Sequence, residues 1–184
     1  MLKNPWKVIS EQKIYENPWI SLTEFAVINP GGGKGIYGKV HFKNLAVGVI
    51  VMDEEKNTWL VGQYRFPTDQ YSWEIPEGGC PEGTDPLTSA KRELKEETGL
   101  VATNWQPVLQ MHLSNSVSDE LAIVFLATGL SQEEAEPEES EQLQIKKIPF
   151  REACQMVEDG VITDSISVAA ILKIQLLLAG GKLK

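Results

Sequence analysis

Between Arg92 and Leu100 the chain reads Arg-Glu-Leu-Lys-Glu-Glu-Thr-Gly-Leu, which packs Glu93, Glu96, Glu97 and one guanidinium into barely two helical turns. At 3.6 residues per turn, the i,i+3 and i,i+4 spacings put the three carboxylates on one stripe. Their mutual repulsion calls for a cation. Mg²⁺ or Mn²⁺ suits such a stripe, because hard ions take carboxylate and water oxygens and no Cys/His cluster competes along the chain.

A helix must hold the stripe, and its ends are legible. Thr84 or Asp85 can cap it, Pro86 stands where a missing N–H costs nothing, and Gly99 follows the last turn. Leu87, Ala90 and Leu94 lie roughly 100° around from the carboxylates, so one flank can bury while the acidic flank lines a cleft. Upstream, alternating β-prone stretches occur near Lys13–Tyr15, Ile20–Asn29 and Gly35–Lys43, with no helical pattern. The link Pro30-Gly31-Gly32-Gly33-Lys34-Gly35 lacks phosphate-loop spacing and is expected to be a hairpin turn. A buried strand is expected at Ala46–Val51, a turn at Asp53–Asn57, and a second strand at Trp59–Tyr64. Beyond the acidic helix come strand candidates at Val108–Leu113, Leu121–Ala127 and Leu143–Ile148, and a helix from Phe150 to about Glu158. A last helix is capped by Asp164 or Ser165, with Val168, Ile171, Leu172, Leu176 and Leu178 as its apolar face.

The stretch from Gly78 to Leu100 resembles the box of the Nudix hydrolases, G-x5-E-x7-R-E-U-x-E-E-x-G-U with U aliphatic. Gly78, Arg92, Glu93, Leu94, Glu96, Glu97, Gly99 and Leu100 fall in register, a coincidence on the order of 10⁻⁷ per start position at ordinary residue usage. The remaining position, a glutamate in the family, is Thr84 here, and Glu82 lies two positions early. The resemblance implies that Glu93, Glu96 and Glu97 hold Mg²⁺ or Mn²⁺, that Arg92 braces them, and that Glu97 and Arg92 belong to the catalytic group. It also implies a backbone carbonyl near Glu77 on the metal.

Along almost the whole chain the order of elements is similar to the ADP-ribose pyrophosphatase branch of that family. This implies an α/β/α sandwich with a mixed β-sheet (residues 45–184) preceded by a small N-terminal antiparallel β subdomain (residues 1–44) used in a homodimer. Gln63-Tyr64-Arg65 resembles the branch's Q-x-R, making Arg65 the expected diphosphate clamp, with a surface strand-end arginine paired with Glu74 or solvent as the alternative, and Trp73-Glu74-Ile75-Pro76-Glu77-Gly78 resembles its segment placing Glu74 near the substrate. Ser118-Asp119-Glu120 resembles the end of its substrate loop, with Glu120 reaching the sugar and Asp119 also readable as a local turn. The Ser-Pro-Gly usual in ADP-ribose-specific members is replaced by Ser114, Asn115 and Ser116. The general base of the family comes from a loop matching Glu139 and Glu141, of which Glu139 is favoured. Trp19, Tyr37 or Phe42 could stack on a base.

Composition agrees and excludes alternatives. A chain of 184 residues with 42% apolar content can bury one sizeable core. A net charge of −9 and the lack of a basic stripe argue against nucleic acid as a partner. The apolar run Val168 to Ala179 is too short to span a bilayer and carries Lys173 and Gln175, and no signal pattern opens the chain, so a cytoplasmic, membrane-independent protein is expected. Cys80 and Cys154 have no zinc or disulfide spacing. Six glutamates between Gln132 and Gln142 read as a solvated loop.

The expected reaction is cleavage of the diphosphate of a nucleoside diphosphate sugar, ADP-ribose or related, to a nucleoside monophosphate and a sugar phosphate. Its rivals are a nucleoside triphosphate sanitiser and a non-catalytic nucleotide-sugar sensor, the latter suggested by Thr84.

Overall fold

Three N-terminal strands, β1 (Lys7–Glu16), β2 (Ile20–Ile28) and β3 (Lys34–Phe42), make an antiparallel sheet in the order β1-β2-β3. A computed structural model describes residues 3–135 and 142–183 of the chain. The glycine-rich link is a tight hairpin turn, in which Asn29 Oδ1 accepts from the N–H groups of Gly31 and Gly33 at 3.0 Å each. β1 is longer than its short alternating signal suggested and is exposed along its entire length.

The remaining strands are β4 (Asn44–Val51), β5 (Asn57–Arg65), β6 (Gln70–Glu74), β7 (Glu77–Pro81), β8 (Leu100–His112), β9 (Leu121–Gln132) and β10 (Gln144–Pro149). They form one sheet ordered β7-β4-β9-β8 and another ordered β10-β5-β6. β4 and β9 run parallel and the other pairs antiparallel, so the larger sheet is mixed. Helix α1 (Pro86–Thr98) lies on one side of it, and α2 (Phe150–Glu158) and α3 (Ser165–Ala179) lie on the other.

Side-chain alternation along β4 explains the layering. Val47, Val49 and Val51 join Phe125, Ala90 and Leu94 in the core under α1. Ile50 joins Val124, Leu126, Phe150, Ile171 and Ile174 in the core under α2 and α3. Full burial of each such aliphatic side chain contributes about 1.5–3 kcal/mol before conformational entropy is set against it.

Helix α1 is capped by Asp85 and not by Thr84: Asp85 Oδ2 accepts from Thr88 N–H at 3.0 Å. Thr84 is exposed in the preceding turn, where its N–H donates to Pro81 O. Gly99 ends the helix at φ 70°, a left-handed conformation that glycine adopts without Cβ strain, and its N–H returns to Lys95 O.

The face of α3 departs from expectation. Ile166, Ala170, Ile171 and Ile174 are buried, whereas Leu172 and Leu176 are exposed. The helix is apolar nearly all round, so periodicity alone left its rotation undetermined. The five-residue strands β6 and β7 carry no strand signal in the sequence, since Gln70–Glu74 and Glu77–Pro81 lack clean alternation and derive their conformation from β5 and β4. Among the described residues no helix is long and apolar enough to cross a membrane.

Candidate active site

The start of β7 is the floor of the site. Glu77, Gly78 and Gly79 pair with Gly48, Val47 and Ala46 of β4, which fixes their backbone, and α1 packs directly against them. The Glu77 N–H donates to Glu97 Oε2 at 3.1 Å. A Cβ at Gly78 would overlap all three atoms of the Glu93 carboxyl group, so glycine is the residue that lets this carboxylate lie against the strand. Glu93 and Glu97 are 9% and 3% exposed, a burial that carboxylates tolerate only with partners.

Arg92 supplies part of that partnership. Its guanidinium donates to Glu93 Oε1 at 2.6 Å, to Glu96 Oε2 at 2.5 Å and to the Gly79 carbonyl at 3.0 Å. The arginine thus ties two carboxylates of the stripe to the strand beneath it. Burial works against its charge, but Glu93 and Glu96 outweigh burial and raise its pKa above the ordinary value.

A second acidic group adjoins the first. Arg65, the last residue of β5, donates from Nε to Glu74 Oε1 at 2.9 Å, and from one terminal nitrogen to Glu74 Oε2 at 2.5 Å and Glu77 Oε1 at 2.9 Å. Arg65 therefore does not stand open at a strand end: its fork is held by two carboxylates, while its side chain remains 38% exposed. Burial opposes its charge, and Glu74, Glu77 and Asp164 more than compensate, so its pKa rises.

Asp164 completes this group, and sequence reading saw in it only a helix cap. It does cap α3, accepting from Ser167 N–H at 2.7 Å. The hydroxyl of Ser167 in turn accepts from Ile75 N–H at 2.9 Å, docking the first turn of α3 on the segment between Glu74 and Glu77. As a result, carboxylate oxygens of Glu74, Glu77 and Asp164 all come within 4.8 Å of one another. The side chain of Glu77, expected to matter only through its backbone carbonyl, enters the same group, and its Oε2 is buried without a hydrogen-bond partner. Burial, then Asp164 and Glu74, push the Glu77 carboxyl well above the ordinary carboxylate range, with Arg65 only partly offsetting them. Glu120 is raised as well, by burial and by Asp164.

The second group faces a cleft of about 770 Å³, within the usual range of small-molecule sites, whereas Glu93, Glu96 and Glu97 are not among its lining residues. Arg65, Glu74, Glu77, Glu120 and Asp164 line it, with Trp19 and Phe42 of the N-terminal sheet. Tyr37 does not: its ring packs edge-on against Trp6, 5.4 Å away, beside a separate groove. Glu139 and Glu141 lie outside the described residues. No spacing rule could have joined Asp164 to Glu77, although the sequence Thr-Asp-Ser before an apolar run did mark it as a cap.

Residues 42–168 match the model of the NUDIX domain. This chain belongs to the Nudix hydrolase family. Residues 6–40, ahead of the Nudix domain, match the nucleoside diphosphate sugar hydrolase N-terminal domain. The ADP-ribose pyrophosphatase of Mycobacterium tuberculosis is 34% identical, over 98% of this chain and 88% of its own length. The ADP-ribose pyrophosphatase of Bacillus subtilis is 31% identical, over 92% of both chains. The crystal structure of an ADP compounds hydrolase shares the Nudix fold with a TM-score of 0.87 at 19% identity, covering 98% of each chain.

Proposed function

We propose that this Nudix hydrolase cleaves the diphosphate bond of a nucleoside diphosphate sugar, ADP-ribose or a related compound, with Mg²⁺ or Mn²⁺ as cofactor, giving a nucleoside monophosphate and a sugar phosphate. The observation that carries the reading is a cleft lined by Arg65 and the Glu74–Glu77–Asp164 group, whose Glu77 is tied through its N–H to Glu97 of the box helix. The two whole-length ADP-ribose pyrophosphatase relatives and the matching N-terminal domain support the substrate class.

The residues present fit a hard divalent cation. The donor set is all oxygen, Gly78 leaves room for the Glu93 carboxylate, and Glu77 Oε2 is a buried acceptor without a hydrogen-bond partner. Glu93, Glu96, Glu97 and the Glu77 carbonyl would hold the ions. When bound, a divalent cation neutralises diphosphate charge and makes water more acidic.

Arg92 keeps Glu93 and Glu96 in place, and Arg65, with its planar fork, turns from Glu74 and Glu77 toward a diphosphate oxygen. Glu74 supports Arg65 and Glu120 accepts from sugar hydroxyls. Trp19 or Phe42 offers a ring to the base. Glu139, or Glu141, takes the proton from the attacking water, and one P–O bond of the bridge breaks as the new one forms. Residues 1–44 serve as a dimerisation subdomain, a role supported by the exposed Val8, Ile9, Ile14 and Tyr15 of β1. Nucleic acid and membranes are not partners in this reading, and the enzyme works in the cytoplasm.

The decisive experiment is a substrate panel of ADP-ribose, ADP-glucose, GDP-mannose and 8-oxo-dGTP with Mg²⁺. Turnover of at least one nucleotide sugar, abolished in Glu97→Gln, is the expected result. Preference for 8-oxo-dGTP would establish the sanitiser, and binding of a nucleotide sugar without cleavage the sensor that Thr84 suggests.

A further inference from the structure

The segment Leu113–Glu120 joins β8 to β9 and closes on itself through Leu113 N–H to Glu120 O. Both of its end residues line the cleft. Another part of its wall includes Phe42, the last residue of β3, and Trp19, whose carbonyl accepts from Lys43 N–H at 2.9 Å. These walls come from distant parts of the chain, and one carboxylate joins them. Asp119 Oδ1 accepts from Phe42 N–H at 3.1 Å, while Oδ2 meets His41 Nδ1 at 2.8 Å and Lys39 Nζ at 3.3 Å. Backbone bonds flank it, from Val40 N–H to Val117 O at 2.8 Å and from Asp119 N–H to Val40 O at 3.3 Å, and Tyr37 Oη donates to Ser116 O.

We propose that Asp119 is a positioning residue for substrate binding: by clamping β3 it sets Glu120 and Phe42, its chain neighbour and its backbone donor, at the separation that a nucleotide sugar requires. The inference rests on the nucleotide-sugar reading above and adds the residue that determines the width of the cleft between the N-terminal sheet and the catalytic domain. An exposed ion pair alone would do little for stability. The significance of this one is where it lies, since all three of its partners belong to one strand and the residue that follows it faces the cleft. Burial disfavours the Asp119 charge, but His41, the Phe42 N–H and Lys39 prevail and hold the carboxyl below its ordinary value, in keeping with an ionised clamp. Its side-chain bonds go to Lys39, His41 and Phe42 of β3, so loss of the clamp should leave the chemical step intact.

The test uses the full chain with Mg²⁺ and the best nucleotide sugar of the panel. Asp119→Ala should raise KM about tenfold with kcat within about threefold, the signature of lost ground-state binding. Asp119→Asn, which keeps an acceptor for the Phe42 N–H, should recover most of the loss. His41→Ala should raise KM less, and the double variant should be no worse than Asp119→Ala alone, since the two act as one unit. An unchanged KM, or a fall in kcat and Tm together that Asp119→Asn does not rescue, would overturn the proposal. Should the wild type turn over no nucleotide sugar, the substrate reading fails and the clamp is judged by hydrogen exchange. Faster exchange of the amides of both 40–43 and 117–120 in Asp119→Ala supports it, and unchanged exchange overturns it.

Discussion

Replacing Gly78 by alanine should disable the site through a single methyl group. The added Cβ would sit on the carboxyl group of Glu93, closer than real side chains approach one another, and the strand cannot yield because Gly78 is paired with Val47 in the sheet. Restoring ordinary contact requires the carboxylate to retreat by about 1 Å, against Arg92, which holds it at 2.6 Å. Mg²⁺ demands near-ideal octahedral geometry, and a misplacement of about 1 Å costs about 100-fold in rate. We therefore expect kcat/KM to fall about 100-fold, or about 2.7 kcal/mol, with a higher Mg²⁺ requirement. Overpacking should lower stability by only about 1–3 kcal/mol, leaving the protein folded. The neighbouring Gly79→Ala is the control, since its Cβ would meet only the amide end of Asn44, at 3.1 Å, and a flexible side chain can move. Its kcat/KM should stay within about threefold of wild type. The assay is release of nucleoside monophosphate across a Mg²⁺ titration, with Tm measured in parallel. Wild-type kinetics in Gly78→Ala, or equal damage in both alanine variants, would refute the reasoning.

Three further outcomes follow from other parts of the molecule. Burial raises the Asp53 carboxyl, but bonds from Lys147 and Asn57 prevail and lower its pKa from 3.8 to about 2. A depressed carboxylate stabilises the fold above its unfolded pKa, and that contribution disappears as pH falls through the folded value. After discounting for the half-exposed Lys147, Asp53→Asn should cost about 1–2 kcal/mol at neutral pH and almost nothing near pH 2, checked by denaturant unfolding across pH. Ser167→Ala leaves the buried Ile75 N–H without its acceptor and should cost about 1–3 kcal/mol. Because the same bond docks Asp164 beside Glu77, activity should fall with stability, measured by Tm and kcat/KM together. Thr84→Glu should leave turnover equal or slightly faster. Thr84 is exposed in the turn ahead of the Asp85 cap, and a glutamate near a helix N-terminus is favourable.

Local rules account for what could be read from residue order alone. The spacing of Glu93, Glu96 and Glu97, the proline at the first position of α1 and the glycine past its end specify a helix with an acidic stripe, because caps and 3.6-residue periodicity act over a few residues. The alternating valines of β4 and the glycine-rich turn before β3 were legible for the same reason. The Nudix box, a contiguous motif, gave the family. Tertiary structure decided the rest. Strand pairing created β6, in a hairpin with β5, and β7, across a longer separation to β4, and packing chose which face of an all-apolar α3 is buried. The docking of α3 through Ser167 brought Asp164 to Glu77, and the pairing of β3 with the 113–120 segment gave Asp119 its partners. Such contacts depend on the positions of elements in space, and those follow from burying two faces of one sheet at once, a condition that no short window of sequence contains.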